Sequence, residues 1–444
     1  MSFILLGILN SQAAGGAFSY WLATLGGSVF EEALGVAADS SDNFYAFGRS
    51  SSQGAGSFDF LLAKYDTLGT IQWQRVLGGA DSEVGHAVTV DSSDNVYAFG
   101  YTSSTGAGSI DFLLAKYNSS GTIQWQRVLG GASVERGYSI AVDSADNLYV
   151  AGEVNSAGAG SADCFIGKYN SSGTIQWQRA LGGNGFEQAN GVTVDASDNV
   201  YVTGYTSSTG AGSIDFLLAK YNSSGTIQWQ RVLGGASDEL GVSVTTDSSG
   251  NVYAFGYTTS TGAGSRDFLL AKYNSSGTIQ WQRILGGTDF DSGAAVKTDS
   301  SGNVYLAGYT NSAGAGGTDF LLAKYDSSGT IQWQRVLGGS AADIAYAITI
   351  DSLDNLNVAG RTFSTGEGSA DFLLAKLPND GSLTGTYQLD GVDIIYSTST
   401  LTAATSTLTA ATSTLTDQTL TLTAATSTLT AATSTLTDHI VGIG

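Results

Sequence analysis

Seven carboxylic acids recur at a spacing of 52 residues: Glu31, Glu83, Glu135, Glu187, Glu239, Asp291 and Asp343. Set in a ring at the mouth of a channel, such groups would gather cations. Set in turns, each would cap backbone N–H groups or pair with a basic side chain such as Arg75, Arg127 or Lys64. Turn capping is the expected role. A second recurring carboxylate, Asp91 and its equivalents, lies four residues before an asparagine. That spacing lacks the dense oxygen ligands of a calcium loop, so capping is expected there too and no metal is assigned.

Other chemistry has few carriers. His86 and His439 are the only histidines and stand in unrelated places. Cys164 is the only cysteine, which rules out an internal disulfide, and it occupies a position held by Phe112 and Phe216 in other repeats. It is therefore expected to be a small apolar core residue. No glycine loop of phosphate-binding type joins a strand to a helix, and no carboxylate pair is singled out for acid–base work. No catalytic residue and no cofactor is assigned. The recurring tryptophans are expected to pack between structural units, not to serve as ligand platforms. The recurring lysines, Lys64 to Lys376, are expected to snorkel or to pair with Asp59 and its equivalents.

The elements that position these groups follow from the repeat. Trp21, Trp73, Trp125, Trp177, Trp229, Trp281 and Trp333 share the 52-residue period, as do seven Gly-Gly pairs from Gly26-Gly27 to Gly338-Gly339. Each unit contains four strand-like runs, for example Ala87–Asp91, Val96–Tyr101, Asp111–Tyr117 and Thr122–Gly130, separated by Ser-Ser-Asp-Asn, Thr-Ser-Ser-Thr-Gly-Ala-Gly-Ser and Asn-Ser-Ser-Gly turns. Four antiparallel strands repeated radially make a propeller blade. The repeats open on a fourth strand at Tyr20–Ala23 and end on a third at Asp371–Lys376. The fold class is thus all-β: a seven-bladed β-propeller over residues 17–384, with the N-terminal strand closing the last blade and hiding two edges.

The pattern Trp-x-x-x-x-Gly-Gly, an acidic residue, then Val-x-x-Asp-Ser-x-x-Asn-x-Tyr-x-x-Gly resembles the bacterial β-propeller repeat family called SBBP, over about four-fifths of the chain. The resemblance implies a propeller in a surface or extracellular protein and no single activity. The opening Met-Ser-Phe-Ile-Leu-Leu-Gly-Ile-Leu-Asn-Ser-Gln-Ala-Ala-Gly-Gly is similar to the starts of structural proteins in marine cyanophage-like genomes. Residues 1–16 are taken as an attachment or leader-like segment, without the basic start and long apolar core of a signal peptide.

The loop after each Gly-Gly and the Gly-Ala-Gly-Ser loop share one face, and the first of these is where the repeats diverge. The candidate ligand-binding residues are therefore Glu83, His86, Glu135, Arg136, Phe186, Glu187, Gln188, Glu239, Phe290, Asp291 and Asp343. The 39 acidic and 18 basic residues leave a net charge of −21, which repels phosphate backbones and anionic lipid. No nucleic-acid partner and no membrane insertion are expected. One proline and 60 glycines agree with turns built from Gly, Asn, Asp and Ser.

Beyond a linker at 385–396 the composition turns to Ser, Thr, Leu and Ala. Leu401, Leu408, Leu415, Leu422, Leu429 and Leu436 recur every seven residues. A seven-residue period fits a coiled-coil seam and, being odd, does not fit one continuous strand. Residues 397–444 are accordingly expected to form a heptad-repeat stalk that joins copies of the chain, as a trimer. Together these features point to a non-enzymatic structural or binding protein: a phage virion appendage or decoration protein, fibre-like, meeting other virion proteins and a host surface glycan or protein. The alternative is a secreted or cell-surface bacterial adhesin.

Overall fold

A computed structural model describes residues 20–443, apart from positions 407, 414, 421, 428 and 435. The attachment segment expected at 1–16 lies outside the described residues. Seven sheets stand around a central channel. In blade 1 the strands run Glu31–Ala38, Phe44–Ser50, Asp59–Tyr65 and Ile71–Gly78 from the channel outward. Blades 2 to 6 repeat this order. Blade 7 takes its fourth strand, Tyr20–Gly26, from the start of the chain, in antiparallel register from Trp21 opposite Lys376 to Leu25 opposite Phe372. The closure expected from the phase of the repeats is present.

The core lies between blades. Each of seven apolar clusters draws on two neighbouring sheets, as where Tyr45, Phe47 and Leu62 of blade 1 meet Val96, Ala98 and Leu113 of blade 2. The second and third strands of a blade are covered on both faces, which explains their continuous apolar runs. On the outer strand Trp73 tilts against Tyr45 and donates its indole N–H to Ser119 O of the next blade at 3.2 Å. The tryptophans are thus inter-blade ties, as their spacing suggested. Arg75 does the same through Nε to Gly121 O, at 2.7 Å.

In the Asp-Ser-Ser-Asp-Asn turn the first aspartate caps the backbone, Asp91 Oδ1 accepting from the N–H of Ser93 and Asn95. The residue in the left-handed region is the second aspartate, Asp94 at φ 60°, and its equivalent in blade 5 is Gly250 at φ 76°. The asparagine instead donates back to the first, Asn95 Nδ2 to Asp91 Oδ2 at 2.9 Å. Asp94 then accepts from Ser40 N–H of the preceding blade at 3.0 Å, so the strained residue also links blades.

Two expectations for the C-terminal region are corrected. Residues 385–396 are not a linker: Gly385–Leu389 and Val392–Thr398 form a hairpin on the outer edge of blade 6. The following repeats are not a helical coiled-coil stalk. Thr402–Thr405, Thr409–Thr412, Thr416–Thr419, Thr423–Thr426, Thr430–Thr433 and Thr437–Ile443 each pair antiparallel with one outer strand, on blades 5, 4, 3, 2, 1 and 7 in turn. The tail girdles the ring against the chain order. Its described residues are already engaged with the propeller, which leaves the expected trimer without a free stalk to form it.

The argument from odd period failed because the strand is not continuous. Four residues pair with one blade, a leucine sits at the groove, and the alternation starts afresh on the next sheet. At the step Leu429 is buried, its N–H donates to Ser427 Oγ at 3.2 Å, and its carbonyl accepts from Gln126 Nε2 at 3.0 Å. Ile394 of the hairpin is buried at the blade 6–7 junction, where a Cβ on Gly339 would lie 3.1 Å from it, and supplies the seventh peg. A Cβ on Gly79 would lie 2.8 Å from Leu429 Cδ2.

Leu429→Ala should therefore lower the unfolding free energy by about 2 kcal/mol in urea titration, the usual range for a buried leucine. Deleting one whole repeat, residues 402–408, should cost more than this, because every later strand is then shifted by one blade and the outer edge of Tyr20–Gly26 is left bare.

Candidate functional site

The seven recurring acids begin the innermost strands, and all are fully buried. Glu83 Oε2 accepts from Gly79 N–H at 2.6 Å, Oε1 accepts from the Thr102 hydroxyl at 2.6 Å, and its own N–H donates to Phe58 O of blade 1 at 2.7 Å. They cap turns, as expected, but without the basic partners considered. The expectation that Glu83, Glu135, Glu187, Glu239, Asp291 and Asp343 form part of a ligand-binding face is corrected: fully buried inside the junction, where each accepts from the N–H of the second glycine of its Gly-Gly pair, they do not present a cation-gathering ring.

Beside each of them lies a second buried carboxyl. Asp59 accepts from Gly56 N–H at 3.3 Å, while its Oδ1 rests against Gly78, where any side chain would overlap it. It does not pair with Lys64. The two lie at opposite ends of one strand, and Lys64 Nζ meets Asp39 Oδ2 at 3.0 Å. Burial pushes Asp59 up to about 6, with the Glu83 charge adding to it against the Gly56 and Ala55 N–H groups. Burial likewise pushes Asp163 up to about 6, reinforced by Glu187. At the other end of the blade, burial of Asp39 is outweighed by the Asn43 and Lys64 bonds, which hold its carboxyl below the usual range.

Above this frame the innermost strand carries a bulge. In blade 1 the register slips between Ala33 and Gly35, and in blade 2 between Gly85 and Ala87. The extra residue turns to the channel. Around the ring these residues are Leu34, His86, Tyr138, Asn190, Val242, Ala294 and Tyr346, a set as mixed as any in the repeat, and they help to line a lumen of about 270 Å³. His86 packs edge-on to Tyr138 at 5.1 Å and lies 5.5 Å from Tyr101. Burial, then Arg49 and Arg136, pushes its imidazole down to about 3, so it is neutral at physiological pH.

Nearer the loops a second diverged ring opposes the second strands. Arg136 pairs with Glu153 at 2.6 Å. Gln188 accepts from the Tyr205 hydroxyl at 2.9 Å and donates to Asn190 Oδ1 at 2.6 Å. Phe186 stacks on Tyr205 at 5.8 Å, and Phe290 on Tyr309 at 6.0 Å. The structure thus gathers His86, Arg136, Phe186, Gln188 and Phe290 near the channel mouth.

Sequence reasoning missed the densest part of this mouth, at the junction of blades 7 and 1. Glu32 is held by Arg49 at 2.7 Å and by Arg361 at 2.8 Å. Arg49 lies 4.6 Å from the centre of the Phe58 ring, and Arg361 lies 5.7 Å from Phe30 and 5.3 Å from Phe363. The signal was in the register. Where blade 7 has Phe363, the other blades have Ser51, Ser103, Asn155, Ser207, Thr259 and Asn311. Among the described residues no group of three or more His, Cys, Asp or Glu is placed to hold a metal, and no helix is long and apolar enough to cross a membrane.

The fold and this mouth define a closed, seven-bladed propeller with a diversified inner ring. Residues 177–210 and 280–314 match the SBBP β-propeller repeat, and residues 300–331 match a β-propeller domain of unknown function, DUF5122. The regulatory protein FlaEY of Caulobacter vibrioides is 34% identical over 119 residues, which is 24% of this chain and 12% of that protein. The uncharacterized WD repeat-containing protein L264 of Acanthamoeba polyphaga mimivirus is 20% identical over 471 residues, 73% of this chain and 34% of that protein. The chain therefore spans a third or less of the length of these curated relatives. Among solved structures, the polysaccharide lyase Uly1 is similar with TM-score 0.50 and 10% identity, covering 83% of this chain and 94% of that one. The gluconolactonase XC5397 of Xanthomonas campestris gives 0.41 and 12%, covering 81% and 90%. At such identities the likeness is one of fold.

The paired carboxyls make stability depend on pH in two directions. Asp59 and Asp163 hold their proton more tightly when folded, so their contribution is complete below about pH 4 and is lost as pH rises through about 6. Asp39 acts oppositely, with stability present above the ordinary carboxylate range and lost on acidification. The melting temperature should therefore peak at mildly acid pH, and Asp163→Asn should raise it at pH 7.5 while leaving it unchanged at pH 4.

Proposed function

We propose that the protein is a non-enzymatic binding propeller whose loop-side mouth takes an acidic saccharide. The observation that carries this reading is the cluster at the blade 7–1 junction. Phe363 is 42% exposed beside the partly exposed side chain of Arg361, whose Nη1 donates to Glu32 at 2.8 Å. An exposed aromatic ring offers a stacking face for a pyranose, and the adjoining guanidinium offers charge-assisted bonds to a carboxylate or sulfate. The other six junctions carry Ser, Thr or Asn where Phe363 stands.

The same cluster supports binding over catalysis. Glu32 and Glu153 beside the mouth are each held by arginine, so their oxygens are already engaged in ion pairs. We place the protein where such glycans are met, on the outside of a particle or cell. The virion surface implied by the N-terminal resemblance is the first such place, with the ring and not a stalk as the displayed body.

Calorimetry against uronate-containing and neutral oligosaccharides tests this. Arg361→Ala and Phe363→Ala should each weaken binding of the acidic sugar by about tenfold, roughly 1.4 kcal/mol, with melting temperature nearly kept. A wild-type protein that binds neither class overturns the reading.

A further inference from the structure

The outer strands of the ring are close to identical where the tail meets them. Blades 1, 2 and 4 present Arg-Val-Leu-Gly, from Arg75, Arg127 and Arg231, and blade 5 presents Arg283-Ile284-Leu285-Gly286. Each of these takes a Thr-Ala-Ala-Thr strand in the same register, as with Val232 opposite Ala411 and Ile284 opposite Ala404. Backbone pairing alone gives such strands no reason to prefer one blade to the next.

Two outer strands depart from the pattern, and the tail departs opposite both. Blade 3 has Ala180 in place of the valine, and the strand lying on it is Thr416–Thr419, with Gln418 opposite Ala180. Leu420 follows, where other repeats have Ser406, Ser413, Ser427 and Ser434. It is buried in the same apolar cluster as Ala180, and its N–H donates to Gln178 O at 3.3 Å. Gln178 is buried in turn, whereas Gln74, Gln126, Gln230, Gln282 and Gln334 are half-buried. The tail restores the volume that blade 3 gives up. Blade 7 has Thr24 at the valine position, opposite His439. Asp390, in the turn of the blade 6 hairpin, joins the two: Oδ1 lies 2.8 Å from His439 Nδ1, and Oδ2 accepts from the Thr24 hydroxyl at 3.1 Å.

We propose that Leu420 and His439 are the residues that determine which blade each tail strand occupies, with Ala180 and the Thr24–Asp390 pair as their receptors. If the repeat 402–408 looped out, every later repeat could move back one blade and keep its backbone bonds. In that register Leu420 would meet Val232 in place of Ala180, His439 would leave Asp390, and the outer edge of Tyr20–Gly26 would lie bare. Crowding two extra methyl groups into a filled site disfavours the slip at blade 4, and the lost ion pair disfavours it at blade 7. The uniform strands between carry no address of their own. This inference rests on no residue of the saccharide mouth.

Disulfide trapping in the full chain, with Cys164→Ala as background, reads the register. Val232→Cys with Ala411→Cys reports the native pairing, and Ile284→Cys with Ala411→Cys reports the slipped one. Adding Gln418→Ala, Leu420→Ser and His439→Ala should raise the yield of the slipped bond by about tenfold, the effect of removing one overpacked contact. A second measurement does not depend on slippage. Leu420→Ser should lower the melting temperature of the wild type, where it leaves a void, and raise that of Ala180→Val, where it relieves crowding. A slipped bond equally frequent with and without these residues, or a Leu420→Ser shift of the same sign in both backgrounds, overturns the proposal.

Discussion

A carboxyl group buried at the head of every innermost strand is the interaction on which the remaining architecture depends. Glu83 satisfies the N–H of Gly79 and the hydroxyl of Thr102 while its own N–H reaches the neighbouring blade. Asp59 fills the space that Gly78 leaves open. These contacts require two glycines in succession, an acid four residues after the second, and a hydroxyl or other donor on the adjacent strand. A buried carboxylate without such partners would cost several kcal/mol, so no part of the arrangement drifts independently. The 52-residue period without insertion follows, because the loop lengths are set by what the carboxyls must reach.

With the junctions held in this way, the remaining exposure is at the outer edges of the blades. A four-stranded blade ends in an unpaired strand, and seven such edges around a ring would invite association with other strands. Four-residue strands cover blades 5 to 1, Val392–Thr398 covers blade 6 and Thr437–Ile443 covers blade 7, with a leucine, or Ile394 at the blade 6–7 junction, in the groove between. The last of these strands lies on Tyr20–Gly26, which is itself the strand that closes blade 7. The first and last described strands therefore meet at one blade, and the girdle and the closure reinforce each other.

The same rigidity lets the channel side diversify. Bulge residues contribute little to the junctions, so Leu34, His86, Tyr138 and Asn190 can differ without disturbing the ring. Divergence in the loops after Gly-Gly was visible in the repeat. It did not separate side chains that look into the junction from those that look into the lumen, because the acids and their diverged neighbours alternate along one strand. Glu187 and Gln188 are adjacent in sequence; one is sealed in the frame and the other faces Tyr205. Only the bulge and the register decide between them. Phe363 was legible as the one aromatic at a position that is otherwise Ser, Thr or Asn, once every blade is laid in register with the rest.

Local order determined what the sequence alone could say: the four strands of a blade, their number around the ring, the phase that closes it and the face on which variation gathers. Each of these rests on periodicity or on turns between neighbours in the chain. The fate of the tail rests on neither. A leucine every seven residues suits a helical seam as well as a step from blade to blade, and threonine-rich segments of four residues have no strand partner within their own stretch of chain. The partner is an outer strand 116 to 423 residues away in sequence, from Gly286 with Thr402 to Tyr20 with Ile443. Backbone groups bond to whichever unpaired edge the assembled ring offers, and that edge exists only in the tertiary structure.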